Sequence, residues 1–216
     1  MSAENSQRLD AASNPRRAGP ADIGALTQLF VAAFLNDPVF NWTARTGPKR
    51  AAALEQFFFW LLHERAIPAG EVWMSDDGAT CAAWLPPDTT TQPSGFFEQL
   101  RLLPIYVRFC GFARLKSGSA MAKAMEENHP HERHFYLPFM AVAPRLQGMG
   151  LGSAILETTL KRADSAGMPA YLENSNPRNT RLYERAGFVA LKNISPEGAP
   201  PLVAMWRTVS NKNEPA

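Results

Sequence analysis

Between His134 and Asn174 the chain runs through an order of segments that leaves few folds open. His134 to Val142 is strand-like, Leu151 to Ala166 is helical and stops at Gly167 with Pro169 beyond, and Ala170 to Asn174 is strand-like again. This is a βαβ unit, and its first turn carries Gln147-Gly148-Met149-Gly150-Leu151-Gly152. Three alternating glycines let the backbone turn tightly and bring several N–H groups close to a ligand. The start of the helix adds unpaired donors and a partial positive charge, which together suit a pyrophosphate. Taken alone, the same glycines also fit a tight strand-to-helix turn. A Rossmann site requires GxGxxG and an acidic residue about 20 positions on, and a Walker loop requires GK followed by Ser or Thr; neither pattern is present.

The rest of the chain surrounds that unit. A short extended piece begins at Arg16, and beyond Pro20 the residues Ile23, Leu26, Leu29, Phe30, Ala33 and Phe34 recur at helical spacing. Asp37-Pro38 ends this helix, and Pro48 to Arg65 restarts as a second one. Glu71 to Ser75 and Thr80 to Leu85, divided by Asp76-Asp77-Gly78, predict a β-hairpin. Pro86, Pro87 and Pro93 punctuate a loop before an aromatic-rich helical region from Gly95 to about Asn128, read as two helices broken near Pro104. A short helix from about Asn179 to Ala186 ends at Gly187, and strands near Phe188 to Asn193 and Leu202 to Thr208 follow. Pro138 is awkward inside a strand, because proline cannot donate to the ladder.

Composition narrows the class. Of 216 residues 45% are hydrophobic and 19% charged, which supplies a core of one domain's size. With 22 Lys and Arg against 20 Asp and Glu, the net charge of +2 argues against nucleic acid or an anionic membrane as partner. Cys81 and Cys110 form no CxxC pair, so neither a disulfide framework nor a zinc knuckle is expected, and a reducing cytoplasm suits them. Residues 1–14 are polar and read as a flexible tail. The longest apolar run, Phe57 to Leu62, is far short of the roughly 20 residues that span a bilayer, so a soluble protein is expected.

Val142-x-Pro144-x-x-Gln147-Gly148-x-Gly150-x-Gly152 resembles the acyl-CoA-binding motif of the GNAT superfamily, Q/R-x-x-G-x-G/A. Asn176 to Phe188 resembles the family's second signature, in which an asparagine precedes a tyrosine by seven and a Gly-Phe pair follows. Tyr171 to Asn179, Phe34-Leu35-Asn36-Asp37-Pro38 and Met205-Trp206-Arg207 are similar to pieces of the puromycin N-acetyltransferase-like branch. The resemblance implies an α+β GNAT fold over residues 15–210, with a mixed sheet of about 6–7 strands, helices on both faces and a splayed acyl-CoA cleft. Residues 211–216 are read as a second tail.

The resemblance also implies roles. Backbone of Met140, Ala141 and Val142 pairs with pantetheine of acetyl-CoA as the cosubstrate, and the amides of Gln147, Gly148, Gly150, Gly152 and Ser153 face its phosphates. Arg145 lies near the 3′-phosphate or is a solvated loop charge. Asn176 contacts the cofactor or forms a turn, and Asn179 does the same or caps its helix. Tyr183 faces the thioester sulfur, or is a core aromatic with a satisfied hydroxyl. A phenol near pKa 10 gives its proton to a thiolate of pKa near 8.5 only at a cost of about 2 kcal/mol, so hydrogen-bond donation is the expected role. A lysine-like amine is neutral at pH 7 about once in 2,500, a cost of about 4.6 kcal/mol. Glu173 is the candidate base, with a structural carboxylate as the alternative.

His129-Pro130-His131-Glu132-Arg133-His134 lacks metal-ligand spacing, and no metal is expected. One of these histidines is a candidate for the acceptor site, as are Asp37, Trp42, Phe57 to Trp60 and Phe96 to Phe97, although aromatics at helical spacing are more often core. The expected activity is acetyl transfer from acetyl-CoA to a small-molecule amine by direct attack, with no nucleic acid or membrane partner and with a homodimer allowed. Two alternatives are a peptide or protein N-acyltransferase and a non-catalytic acyl-CoA-binding regulatory module.

Overall fold

A computed structural model describes residues 3–89 and 96–209. Seven strands, β1 (Arg16–Arg17), β2 (Val72–Met74), β3 (Thr80–Leu85), β4 (Phe135–Val142), β5 (Ala170–Asn174), β6 (Val189–Asn193) and β7 (Val203–Arg207), form one sheet in the order β1-β2-β3-β4-β5-β7-β6. All neighbours are antiparallel except β4 and β5, which are parallel. This meets the expectation of an α+β fold built on a mixed sheet.

Eight helices accompany the sheet among the described residues. The first, α1 (Ala3–Ser13), corrects the reading of residues 1–14 as a loose tail. Ala12 is fully buried, Leu9 packs beside Leu146 and Leu151, the Thr158 hydroxyl donates to the Ser13 carbonyl, and Arg8 pairs with Asp77. Low hydrophobicity hid a helix held by neighbours far along the chain. Next come α2 (Ile23–Phe34), α3 (Pro38–Thr43) and α4 (Arg50–Leu61), which runs through a π-helical turn into α5 (Ile67–Ala69). The sequence reading missed α3, whose N-cap is Asp37 accepting from the Phe40 N–H at 3.0 Å with Pro38 at the first helical position.

The helical region α6 (Phe96–Asn128) is broken at Gly111, whose φ of 61° and ψ of 166° only glycine adopts readily, and not near Pro104, which lies within the first arm. The second arm folds back on the first, so a Cβ on Gly118 would lie 2.5 Å from Cys110 Sγ. The Tyr106 hydroxyl donates to the Leu115 carbonyl across this hairpin. The side chains of Phe96 and Phe97, offered above as acceptor walls, lie outside the described residues, as do the loop around Pro93 and residues 211–216.

Both faces of the sheet are covered, which is why β3 is buried at every position instead of alternating. Cys81 and Ala83 face α2, α4 and α6, where Phe30, Phe58, Phe109 and Phe139 interlock. Ala82 and Trp84 face α7 (Leu151–Ser165), and the Trp84 indole donates to the Thr159 hydroxyl at 3.0 Å. The last helix, α8 (Thr180–Arg185), packs on that same side through Tyr183 and Leu182. Arg207 on β7 ties this half together with a bidentate pair to Asp164, at 2.7 and 2.9 Å, and a bond to the Ala186 carbonyl.

Pro138 finds its reason in the β3–β4 register. Ala83 pairs with Phe139 and Leu85 with Tyr136, so β4 spends three residues where β3 spends two. The extra residue is a bulge at Leu137-Pro138, where no ladder donor is required.

Candidate active site

Strands β4 and β5 hold together at only two pairs, Phe135 with Ala170 and Tyr136 with Tyr171, and then separate. Beyond Tyr136 the β5-facing edge of β4 has no strand partner, and a cavity of about 940 Å³ occupies the opening. An unpaired strand edge offers backbone N–H and C=O groups to an extended ligand carrying amides. Met140 and Val142 line this opening, whereas the Ala141 side chain turns to the α2–α4 face and leaves only its backbone for such a contact.

At one end of the cavity the three glycines serve different needs. Gly150 has φ of 89° and caps α7 with no side-chain cap of its own, so the first amides of the helix keep unpaired hydrogens. Gly148 also has positive φ, at 78°. Gly152 is needed for closeness: a Cβ there would lie 3.1 Å from Leu182 Cδ1 and 3.5 Å from Val142 Cγ2, inside the mouth of the cleft. Gln147, Gly148, Gly150, Gly152 and Ser153 all line the cavity, and the Gln147 side chain donates back to the Val142 carbonyl. Arg145 is exposed and does not line it. Donors without partners, positive helix-end charge and missing side chains together fit a diphosphate.

The β5–α8 side contributes asparagines. Asn176 lines the cavity, but its side-chain oxygen accepts from the Arg178 N–H, so the turn-forming role is present and the amide nitrogen alone is left for a ligand. Asn179 occupies the N-cap position of α8 but makes no side-chain cap bond, and it lines the cavity. Tyr183 is packed edge-on to Phe188 at 6.1 Å, and its residue lines the cavity; its hydroxyl has no hydrogen-bond partner among the described residues. Burial pushes this phenol well up, and the Asp37 charge adds to the shift, so the group stays protonated and is a donor.

At the other end lies a cluster of side chains from distant parts of the chain. The Tyr136 hydroxyl donates to Glu173 Oε2 at 2.6 Å. The Glu173 side chain is only 3% exposed, and its Oε1 has no hydrogen-bond partner, though His129 Nδ1 approaches it to 3.7 Å. A buried acceptor left unpaired costs about 1–3 kcal/mol, more when charged, so Glu173 is poorly explained as a purely structural carboxylate. Burial, and then the Glu173 charge, hold the Tyr136 and Tyr171 phenols well above their ordinary value.

Asp37, by contrast, is fully engaged: Ser175 donates to Oδ2 at 2.6 Å and Phe40 N–H to Oδ1, which ties α3 to the end of β5. Burial nonetheless raises its pKa. Of the other wall candidates, Phe57 and Trp60 line the cavity, Phe58 is core, Phe59 is 49% exposed, and Trp42 packs beside Val39 and Leu202 without lining it. Sequence reasoning missed Tyr136 and left His129 undistinguished within its histidine-rich segment. Only the two-residue spacing of Tyr171 and Glu173 marks a shared strand face in advance.

Comparison with known proteins agrees with this geometry. Residues 56–188 match the model of the Acetyltransferase (GNAT) family. An uncharacterized N-acetyltransferase of Schizosaccharomyces pombe is 23% identical over 189 residues, covering 83% of this chain and 75% of the relative. The crystal structure of the Corynebacterium glutamicum protein described as histone acetyltransferase HPA2 and related acetyltransferase superposes with a TM-score of 0.68 at 26% identity, over 93% of this chain and 98% of the other. Arylalkylamine N-acetyltransferase 2 of Aedes aegypti shares the fold, with a TM-score of 0.60 at 14% identity over 91% and 98% of the two chains. The family match spans more than half of the chain and contains both the glycine cradle and the Tyr183 helix, and the chain therefore belongs to the GNAT acetyltransferase family and is an N-acetyltransferase.

Proposed function

We propose that the protein transfers an acetyl group from acetyl-CoA to a small-molecule amine by direct attack, as a member of the puromycin N-acetyltransferase-like branch. Acetyl-CoA supplies the activated thioester. On this reading the backbone of residues 140–142 pairs with pantetheine, and the amides of Gln147, Gly148, Gly150, Gly152 and Ser153 hold the diphosphate. The Asn176 amide and Asn179 flank the same ligand. Glu173 takes the proton of the acceptor ammonium, and Tyr183 donates a hydrogen bond to the departing sulfur.

The observation that carries this reading is the buried Glu173 carboxylate, with one oxygen unpaired, lining the same cavity as the glycine cradle. A small acceptor is favoured over a peptide because Asp37 and Glu173 are the only acidic residues lining that cavity among the described residues, Asp37 being buried and the Glu173 side chain 3% exposed. Nothing there forms the broad acidic groove that a basic peptide segment requires.

The test follows free-thiol release from acetyl-CoA with 2-phenylethylamine, agmatine, lysinamide and a lysine-containing decapeptide, with acetylated products identified by mass. The expected result is kcat/KM for one of the small amines at least about tenfold above that for the peptide, equivalent to about 1.4 kcal/mol of transition-state preference. A peptide turned over fastest contradicts the small-molecule reading. Tight acetyl-CoA binding without transfer to any of the four contradicts catalysis and favours a regulatory module.

A further inference from the structure

His129 sits where α6 gives way to the segment leading into β4. It sits among three rings: its centroid is 4.9 Å from Tyr136, 5.0 Å from Tyr171 and 5.0 Å from His134, and each of the three meets it tilted or edge-on. The packing aims Nδ1 at the unpaired Oε1 of Glu173, 3.7 Å away. The two side chains differ sharply in exposure: Glu173 is 3% exposed and His129 36%. His129 therefore joins a carboxylate whose side chain is almost wholly buried to the protein surface.

We propose that His129 is a positioning residue for acetyl transfer, passing to solvent the proton that Glu173 removes from the acceptor ammonium. This rests on Glu173 being the base. In the step the ammonium N–H breaks and its proton goes to Glu173, the amine nitrogen bonds to the thioester carbon, and the C–S bond breaks with its electron pair leaving on sulfur. The nitrogen's second proton leaves for the thiolate, and the first moves from Glu173 to His129 and then to water. Without that last transfer Glu173 would stay protonated in a buried site after each turnover.

The neighbours leave His129 as the group suited to this task. The titratable groups packed against His129 are Tyr136 on β4, Tyr171 on β5 and His134 on the segment before β4, with Glu132 beside His134. Both phenols are held protonated by burial and the Glu173 charge, so neither accepts a proton. His134 is only 8% exposed, its Nδ1 is occupied by the Glu132 carbonyl at 2.6 Å, and burial disfavours its charged form. His129 alone combines contact with Oε1 and access to water.

Two measurements test this. In ¹⁵N spectra of the histidine rings, replacing Glu173 by Gln removes the carboxylate beside His129, and the His129 Nδ1 resonance should move, while those of His63 stay fixed. An unmoved His129 Nδ1 resonance overturns the coupling, whatever the activity. In the second measurement, His129→Ala and His129→Gln are assayed with the fastest acceptor of the panel. The expected result is a loss of about 10- to 100-fold in kcat at unchanged acetyl-CoA Kd, the disappearance of one ionisation from the acid limb of the kcat profile, and partial recovery of His129→Ala with added imidazole. If Glu173→Gln is inactive while both His129 variants keep the wild-type rate and profile, this inference alone fails. If Glu173→Gln keeps its rate, the base itself is misassigned and the inference falls with it.

Discussion

The two ends of the cleft are made of different materials. At the α7 end the cavity-lining groups are backbone: amides at the start of a helix, two glycines with positive φ, and a third glycine placed where a side chain would block the mouth. At the Glu173 end they are side chains, contributed by β4, β5 and the turn that follows α6 and packed against one another. A backbone site is a local property of about six consecutive residues, whereas the side-chain site exists only once the sheet has formed. The first end should therefore govern affinity for acetyl-CoA and the second the rate of transfer, and substitutions can pull these apart.

The largest effect is expected at Glu173. Glu173→Gln should lower kcat near neutral pH by about 10²- to 10⁴-fold, with part of the rate returning at alkaline pH, where the acceptor amine is already free. A uniform loss at every pH would point to a binding role instead. Tyr183→Phe keeps the ring and removes the hydroxyl, so about 10²- to 10³-fold should be lost from kcat with little change in acetyl-CoA Kd. Burial raises this phenol, so its proton is in place throughout the working range, and the loss should be constant between roughly pH 6 and 9, unlike that of Glu173→Gln. A folded Tyr183→Phe enzyme retaining nearly full kcat, with chemistry rate-limiting, contradicts the donor role.

Gly150→Val probes the other end. Its φ of 89° is costly for any other residue, by about 1–2 kcal/mol, and a Cβ would also touch Leu9 of α1 at 3.4 Å. Calorimetry should show acetyl-CoA affinity reduced about tenfold in a folded variant, with kcat at saturating cosubstrate changed much less; equal affinity would remove this loop from the site. The smallest effect is expected at Asp37, the other carboxylate lining the cavity, because its oxygens already hold α3 to β5. Asp37→Asn should cost less than about tenfold in kcat. Burial raises the folded pKa of Asp37, so any advantage of the wild type is greatest at acid pH and fades as pH rises through that pKa. Melting curves from about pH 4 to 7 should show Asp37→Asn gaining on the wild type by a few degrees at most.

The same contrast explains what could be read in advance. The hairpin around Asp76-Asp77-Gly78, the β4–α7–β5 unit and the cradle follow from residues adjacent in sequence, and β5 occupies Ala170–Asn174 as expected. The second arm of α6 was foreseen, but its break was assigned to Pro104 because proline is the stronger local signal; proline sits comfortably within the first arm, and the fold-back needs the positive φ of Gly111. Helix α1 escaped because its hold on the fold comes from Leu146, Leu151 and Thr158, more than a hundred residues away. Glu173 was singled out by its place after the cradle helix. Its partners were not: Tyr136 is 37 residues distant, and nothing local ties it or His129 to that carboxylate.

The placement of acetyl-CoA underlies all of these expectations, and a ¹H–¹⁵N titration of the labelled protein with acetyl-CoA tests it most directly. The account predicts that the largest amide shifts fall on Met140, Ala141 and Val142 along the free edge of β4 and on Gly148, Gly150, Gly152 and Ser153 at the start of α7, with the β6 and β1 amides unmoved. Saturable binding that leaves those seven amides in place and shifts another surface would contradict it.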